Sequence, residues 1–317
     1  MFMKLRNWID SSKLNYKILS GNKNAFELLK QNPDKIDWIT LSRNPTAIEL
    51  LRENQDKIDW SQLSYNSEAI ELLNDNHDKI NWYNLSSNPN PNAIKLLNKN
   101  QDKINWCNLS SNSNAIKLLN KNHDKINWCN LSSNPNAIDL LKENVNKINW
   151  KSLSFNSNAI EILKENVNKI NWEHLSENSN AIEILKENQD KIDWDLLSFN
   201  ENAIELLKEN QDKINWDLLS LNPNAIELLK ENQNKINWEH LSDNKNAIEL
   251  LRNNQDKIEW DGFSLNPSIF TYDYDKIKKN FEELRQDIVA KALHPKRIFR
   301  LIDEYGEEET YNTYFDN

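Results

Sequence analysis

The five histidines and two cysteines are the side chains of this chain best suited to metal or nucleophile chemistry, and their spacing argues against it. His77 and His123 hold the same slot of a repeated unit but lie two units apart. At ordinary helix spacing that is roughly 20 Å, while each ligand of a shared metal ion must lie about 2 Å from it. His174 and His240 are three units apart and fail the same test. His294 precedes Pro295 and reads as a helix start. Cys107 and Cys129 share a slot in adjacent units. Stacked helices sit roughly 8–10 Å apart, beyond the ~7 Å limit for a disulfide, so two free thiols are expected, as in a reducing compartment. Gly21, Gly262 and Gly306 are scattered, so no phosphate-cradling loop or nucleophile elbow is present. The expectation is no enzyme, no cofactor and no metal site.

What positions these residues is a 22-residue phrase repeated almost end to end. Its tryptophan recurs at Trp38, Trp60, Trp82, Trp106, Trp128, Trp150, Trp172, Trp194, Trp216, Trp238 and Trp260, with every step 22 except the 24 from Trp82 to Trp106. Tyr16 holds the same slot one period earlier, giving twelve rings. A fixed period of this size signals a solenoid, in which stacking builds the core that no single unit can build.

The unit from Trp216 to Asn237 shows the design. Ala225–Glu231 are strong helix formers with one apolar stripe. Asn222 before Pro223 reads as the N-cap, with Asn224 and Glu227 as a rival, and Asn232 as a left-handed C-terminal residue. A second helix starts at Asn215, with Trp216 in its first turn and Asp217 placed to favour the helix dipole. Ile214 and Leu219 have hydrophobic-staple spacing. The result is a longer and a shorter helix joined by tight turns, with the extra residues near Pro89-Asn90-Pro91 falling in a turn. A leucine-rich-repeat solenoid would need an alternating strand that Leu-Ser-x-Asn does not supply. The indoles are expected in the core, where burying one removes on the order of 150–250 Å² from water, about 4–6 kcal/mol gross.

The predicted fold is therefore all-α, an α-solenoid of short two-helix repeats with helical caps. Residues 1–15, with Phe2, Leu5 and Trp8, read as an N-terminal cap. Residues 16–267 form about eleven units, roughly 90–110 Å long before curvature, of a hand the sequence leaves open. Residues 268–306 form a C-terminal helical cap with Ile277, Phe281, Leu284, Ile288 and Ala292 on one face, and 307–317 an acidic tail. A net charge of −10 argues against general polyanion binding. With no apolar run near 18 residues and no signal-like start, a soluble, cytoplasmic protein without membrane contact is expected.

Comparing the repeats with one another separates constant from variable positions. The Ala-Ile-Glu-Leu-Leu helix changes little, whereas the two slots after Trp and the slot after Leu-Ser vary widely. Variation confined to one face is what a ligand-reading surface would show, although drift would look the same. Candidate partner-binding residues are Tyr65, Tyr83, Phe155, His174, Phe199, Leu221 and His240. Phe155 and Phe199 read equally well as hydrophobic staples. Lys95, Lys99, Lys117 and Lys121 add a basic stretch: residues 83–128 hold six Lys and two Asp, whereas 173–260 hold nineteen acidic and nine basic residues. This polarity can steer a partner or record duplication of one basic unit.

The phrase Leu131-Ser132-Ser133-Asn134-Pro135-Asn136-Ala137-Ile138, its Lys-Ile-Asn-Trp link, and the closing Ala292-Leu293-His294-Pro295-Lys296-Arg297-Ile298 with Gly306 resemble tandem 22-residue-repeat proteins of giant DNA viruses of amoebae and algae. Lys95 and Lys117, where most units carry Glu, and the two extra residues near Pro91 depart from that pattern. The resemblance implies a viral protein of the host cytoplasm without assigned chemistry. The expected function is a non-enzymatic scaffold for a protein or peptide. Alternatives are a reader of single-stranded nucleic acid, which only Lys95–Lys125 would suit, and a virion structural protein.

Overall fold

The computed structural model describes residues 2–307 and 310. Two compact units divide it, Leu5–Phe270 and Met1–Lys4 with Thr271–Asn317.

Each repeat of the larger unit except the last consists of two short helices and a 3₁₀ turn. In the repeat from Trp150, the tryptophan helix is Trp150–Phe155, the second helix Ile160–Glu165 and the turn Val167–Lys169. The tryptophan helix starts where expected, because Asn149 accepts a hydrogen bond from the Ser152 amide and satisfies an orphan donor. The second helix starts later than expected. Asn222 ends the preceding helix, Asn224 caps nothing, and Ala225 precedes the first turn without a side-chain cap. Asn232 also departs from expectation: its φ is −126°, and its amide donates back to the Leu228 carbonyl. Both helices are six residues in the standard repeat. The insertion does fall between two helices, and it lengthens the second, Pro91–Lys99, which Asn90 caps.

The core differs from the expected stack of indoles. Fully buried positions are Leu, Ala, Ser and Asn, as in Leu41, Ser42, Asn44, Ala47 and Leu51. Tyr16 and the eleven tryptophans from Trp38 to Trp260 are only half-buried. A unit two helices thick is filled by its leucines, so the indole in the first turn lies at the margin. Its exposed face is covered by the lysine that ends the same repeat's 3₁₀ turn, as Lys169 covers Trp150 at 4.5 Å. Such contacts contribute about 0.5–1 kcal/mol each near the surface.

Buried serine and asparagine join the repeats. Ser42 Oγ donates to the Trp38 carbonyl and accepts from the Asp59 amide of the next repeat. Asn44 Nδ2 donates to the carbonyls of Ser20 and Asn22 in the preceding repeat, and its Oδ1 accepts from the Thr46 amide. Among the described residues, no buried side-chain nitrogen or oxygen lacks a partner.

This ladder has no end. Asn22 Nδ2 donates to the carbonyls of Ser264 and Asn266 at 3.0 and 3.1 Å, and Ser264 Oγ accepts from the Asn15 amide at 2.9 Å. Lys13 sits over Trp260 as Lys35 sits over Tyr16, completing twelve lysine–ring pairs at 4.3–5.1 Å. The unit Leu5–Phe270 is thus a closed ring of twelve repeats, not an open rod of 90–110 Å. The twelfth repeat is assembled from both ends of the unit: Trp260–Phe270 supplies its first half, and Ser11–Lys13 its turn. Residues expected only to cap the first repeat therefore lie against the last. Trp8 packs on Phe263 at 5.9 Å, and Arg6 donates from its amide to the Ile269 carbonyl and from Nε to the Ser268 carbonyl.

Closure requires wedge-shaped repeats. The tryptophan helices stack directly on one another, with Tyr16–Leu19 against Trp260–Leu265, while the second helices stand farther apart. The closer set must line the inside of a closed ring. Serine and asparagine at their contacts let backbones approach, and leucines at the second helices hold them apart.

The smaller unit holds the helices Tyr274–Ala292 and Pro295–Tyr305. Asp273 and His294 cap them, and Gly306 ends the second at φ 90°. Met3–Leu5 and Phe270–Tyr272 pair as the two-stranded sheet. Of the expected acidic tail, only Glu307 and Thr310 fall within the described residues.

Replacing Asn22 with Ala should lower the unfolding free energy by about 1–3 kcal/mol, because two buried carbonyls lose their donor. Asn156→Ala, remote from the seam in sequence, should cost the same in urea titration. A seam substitution without effect would mean an open array.

Candidate functional site

Two slots of every tryptophan helix face away from the core. The residue after Trp and the residue after Leu-Ser are four apart, so they share one helical face, and in a closed ring that face forms the inner wall. Tyr83, Phe155, Phe199 and Leu265 are 57, 51, 47 and 51 % exposed there. Tyr65 and Leu221 are half-buried, with the Arg43 guanidinium 5.0 Å above the Tyr65 ring. The burial expected of a staple is absent at Phe155 and Phe199, because their slot is the last turn of the tryptophan helix, not the entry to the second. Ile39 and Leu265 are exposed on the same wall; their slots, already variable in sequence, could have revealed them.

The slot two residues after Trp serves the fold. Asn84, Asn108 and Asn130 donate to the Ser61, Tyr83 and Cys107 carbonyls of the preceding repeat. His240 Nδ1 bonds the Asp217 carbonyl at 2.9 Å in the same manner. His174 occupies the equivalent slot, half-buried. His77 packs edge-on against Trp82 at 5.1 Å. Cys107 and Cys129 are free thiols, both exposed.

The wall is acidic along one arc. Glu173, Asp195, Asp217, Glu239 and Asp261 fill one exposed slot in five successive repeats. The carboxylates of Asp195, Asp217 and Asp261 each accept from the cap asparagine of the next repeat, Asn215, Asn237 and Asn15, at 2.9–3.0 Å. Where the next cap is acidic, as at Asp193 and Glu259, the slot carries the longer Glu. Asp243 joins this arc, in the space left by Gly262, where a Cβ would run into its carboxylate. Loss of water contact, then the charges of Glu259 and Glu239, push the Asp243 carboxyl above the usual carboxylate range, and His240 opposes them.

Lys95, Lys99, Lys117 and Lys121 lie elsewhere, on the second helices Pro91–Lys99 and Ile116–Leu119 and the residues just after the latter. Tyr65, Tyr83, Phe155, Phe199 and Leu221 therefore fall on the inner wall, His174 and His240 in the slot that serves the fold, and Lys95, Lys117 and Lys121 on a groove between two second helices, with Lys99 outside its lining. No helix among the described residues is long and apolar enough to cross a membrane. The chain matches no family model, no curated protein and no solved structure. Its function must be read from these surfaces.

A folded-state pKa above the unfolded value makes Asp243 least costly when protonated, and its penalty grows as pH rises from about 4 through the raised pKa. Asp243→Asn should therefore raise Tm at pH 7, and the gain should vanish as pH falls towards 4. A gain of equal size at both pH values would refute the electrostatic cause.

Proposed function

We propose that the ring Leu5–Phe270 is a non-enzymatic scaffold whose inner wall binds a protein or peptide segment. The observation that carries this reading is the split between constant and variable slots. Ser, Asn, Leu and Ala positions that join the repeats are nearly invariant around the ring, while the two wall slots range from Phe and Tyr to Lys, Cys and Glu. Closure fixes those side chains on a rigid frame, which lowers the ordering cost of binding. Exposed Phe155, Phe199 and Tyr83 supply the aromatic anchors that interfaces favour. The acidic arc suits a segment carrying Lys or Arg, since complementary charge steers encounter.

The double variant Phe155→Ser, Phe199→Ser should lose most capture of a cross-linked partner, identified by mass spectrometry. Its Tm should shift by no more than about 2 °C, because the rings contribute little to the core. Full capture with a large fall in Tm would return the two rings to a folding role.

A further inference from the structure

The second helices of five successive repeats neutralise themselves. Glu161, Glu183, Glu205 and Glu227 pair with Lys164, Lys186, Lys208 and Lys230 one turn on, at 2.8–3.3 Å, and Glu249 with Arg252 at 3.6 Å. Two adjacent repeats invert this arrangement. There the same slots read Lys95, Asn98, Lys99 and Lys117, Asn120, Lys121, so acid is replaced by base and its partner by asparagine. Lys95 Nζ donates to Asn92 Oδ1, and Lys99, Lys117 and Lys121 make no ion pair among the described residues. Four exposed cations thus stand together on a chain of net charge −10.

The same two helices bound a groove of about 180 Å³, lined by Ile94, Lys95, Asn98, Lys117, Leu118 and Lys121. Leu118 and half-buried Ile94 make an apolar floor, and the lysines stand along the rim. The inserted Pro91 contributes by starting the longer helix of the pair, nine residues against four.

We propose that this groove is a docking site for an acidic peptide segment that places an apolar side chain on Ile94 and Leu118 and carboxylates against Lys95, Lys117 and Lys121. Charge complementarity selects an anion, and the apolar floor selects one with a hydrophobic anchor. The groove lining has no aromatic ring on which a base could stack and no arginine fork for phosphate, which disfavours nucleic acid. The site lies on the second helices and goes beyond the inner-wall reading, which can fail without it.

The test is fluorescence anisotropy with the full chain and a short labelled peptide of Glu and Leu at helical spacing. Controls are its Lys-for-Glu counterpart and an oligouridylate of similar length. The acidic peptide should bind, and Lys95→Glu with Lys117→Glu should weaken it by about tenfold or more. That variant should fold, since most other repeats carry Glu in the slot; Lys121→Gln should weaken binding in the same direction by a smaller factor. Phe155→Ser with Phe199→Ser should leave this peptide unaffected, which separates the two surfaces. Equal affinity for wild type and the charge-reversed chain, or tighter binding of the oligouridylate, would overturn the assignment.

Discussion

Every feature of the ring depends on one side chain repeated twelve times, the buried asparagine that follows each tryptophan helix. Its amide donates to two carbonyls of the preceding repeat and its oxygen accepts from an amide two residues on, so three backbone groups left open by helix ends are satisfied at once. A buried amide left unpaired costs more than a paired one contributes. Geometry is therefore tightly specified: each repeat must lie where both carbonyls can be reached. The serine four residues after Trp, whose hydroxyl donates to that tryptophan's carbonyl and accepts from the next cap residue's amide, makes the same demand.

Identical joints repeated at a constant angle produce either a helix or a circle. Here the twelfth joint falls on the first, and the seam uses the same atoms as every other interface: Asn15, Asn22 and Lys13 on one side, Ser264, Asn266 and Trp260 on the other. Closure removes two exposed terminal faces that would otherwise need covering. It also links local interactions with residues about 250 positions away in the chain, so loop-closure entropy is incurred at the seam and offset by the full set of bonds made there. The lysine over each ring adds a weak contribution within each repeat and shields the half of the indole that the thin repeat cannot bury.

Division of labour between slots follows from the wedge. Positions between tryptophan helices must stay small and polar, and positions beneath the second helices must stay apolar, so both sets are nearly invariant. Positions facing the ring interior and the outer grooves are free of these demands. Chemical variety has collected there: aromatic residues and an acidic arc on the inner wall, and one basic groove where the Glu–Lys pairing of the second helices is inverted. The two surfaces carry opposite charge on one frame.

Much of this was determined by the residues alone. A 22-residue period, helix formers in phase and an Asn before each Trp define a stack of helix pairs, because periodicity and capping are local properties. The free thiols of Cys107 and Cys129 followed from repeat spacing. What tertiary structure decided was everything set by the angle between neighbours. The ring, the seam, the half-buried state of Trp150 and its equivalents, and the meeting of Lys95 with Lys117 and Lys121 across a groove depend on a rotation of a few tens of degrees per repeat. No single repeat encodes that rotation; it emerges from how closely Ser154 and Asn156 allow two tryptophan helices to approach while Ile162 and Leu163 hold the second helices apart.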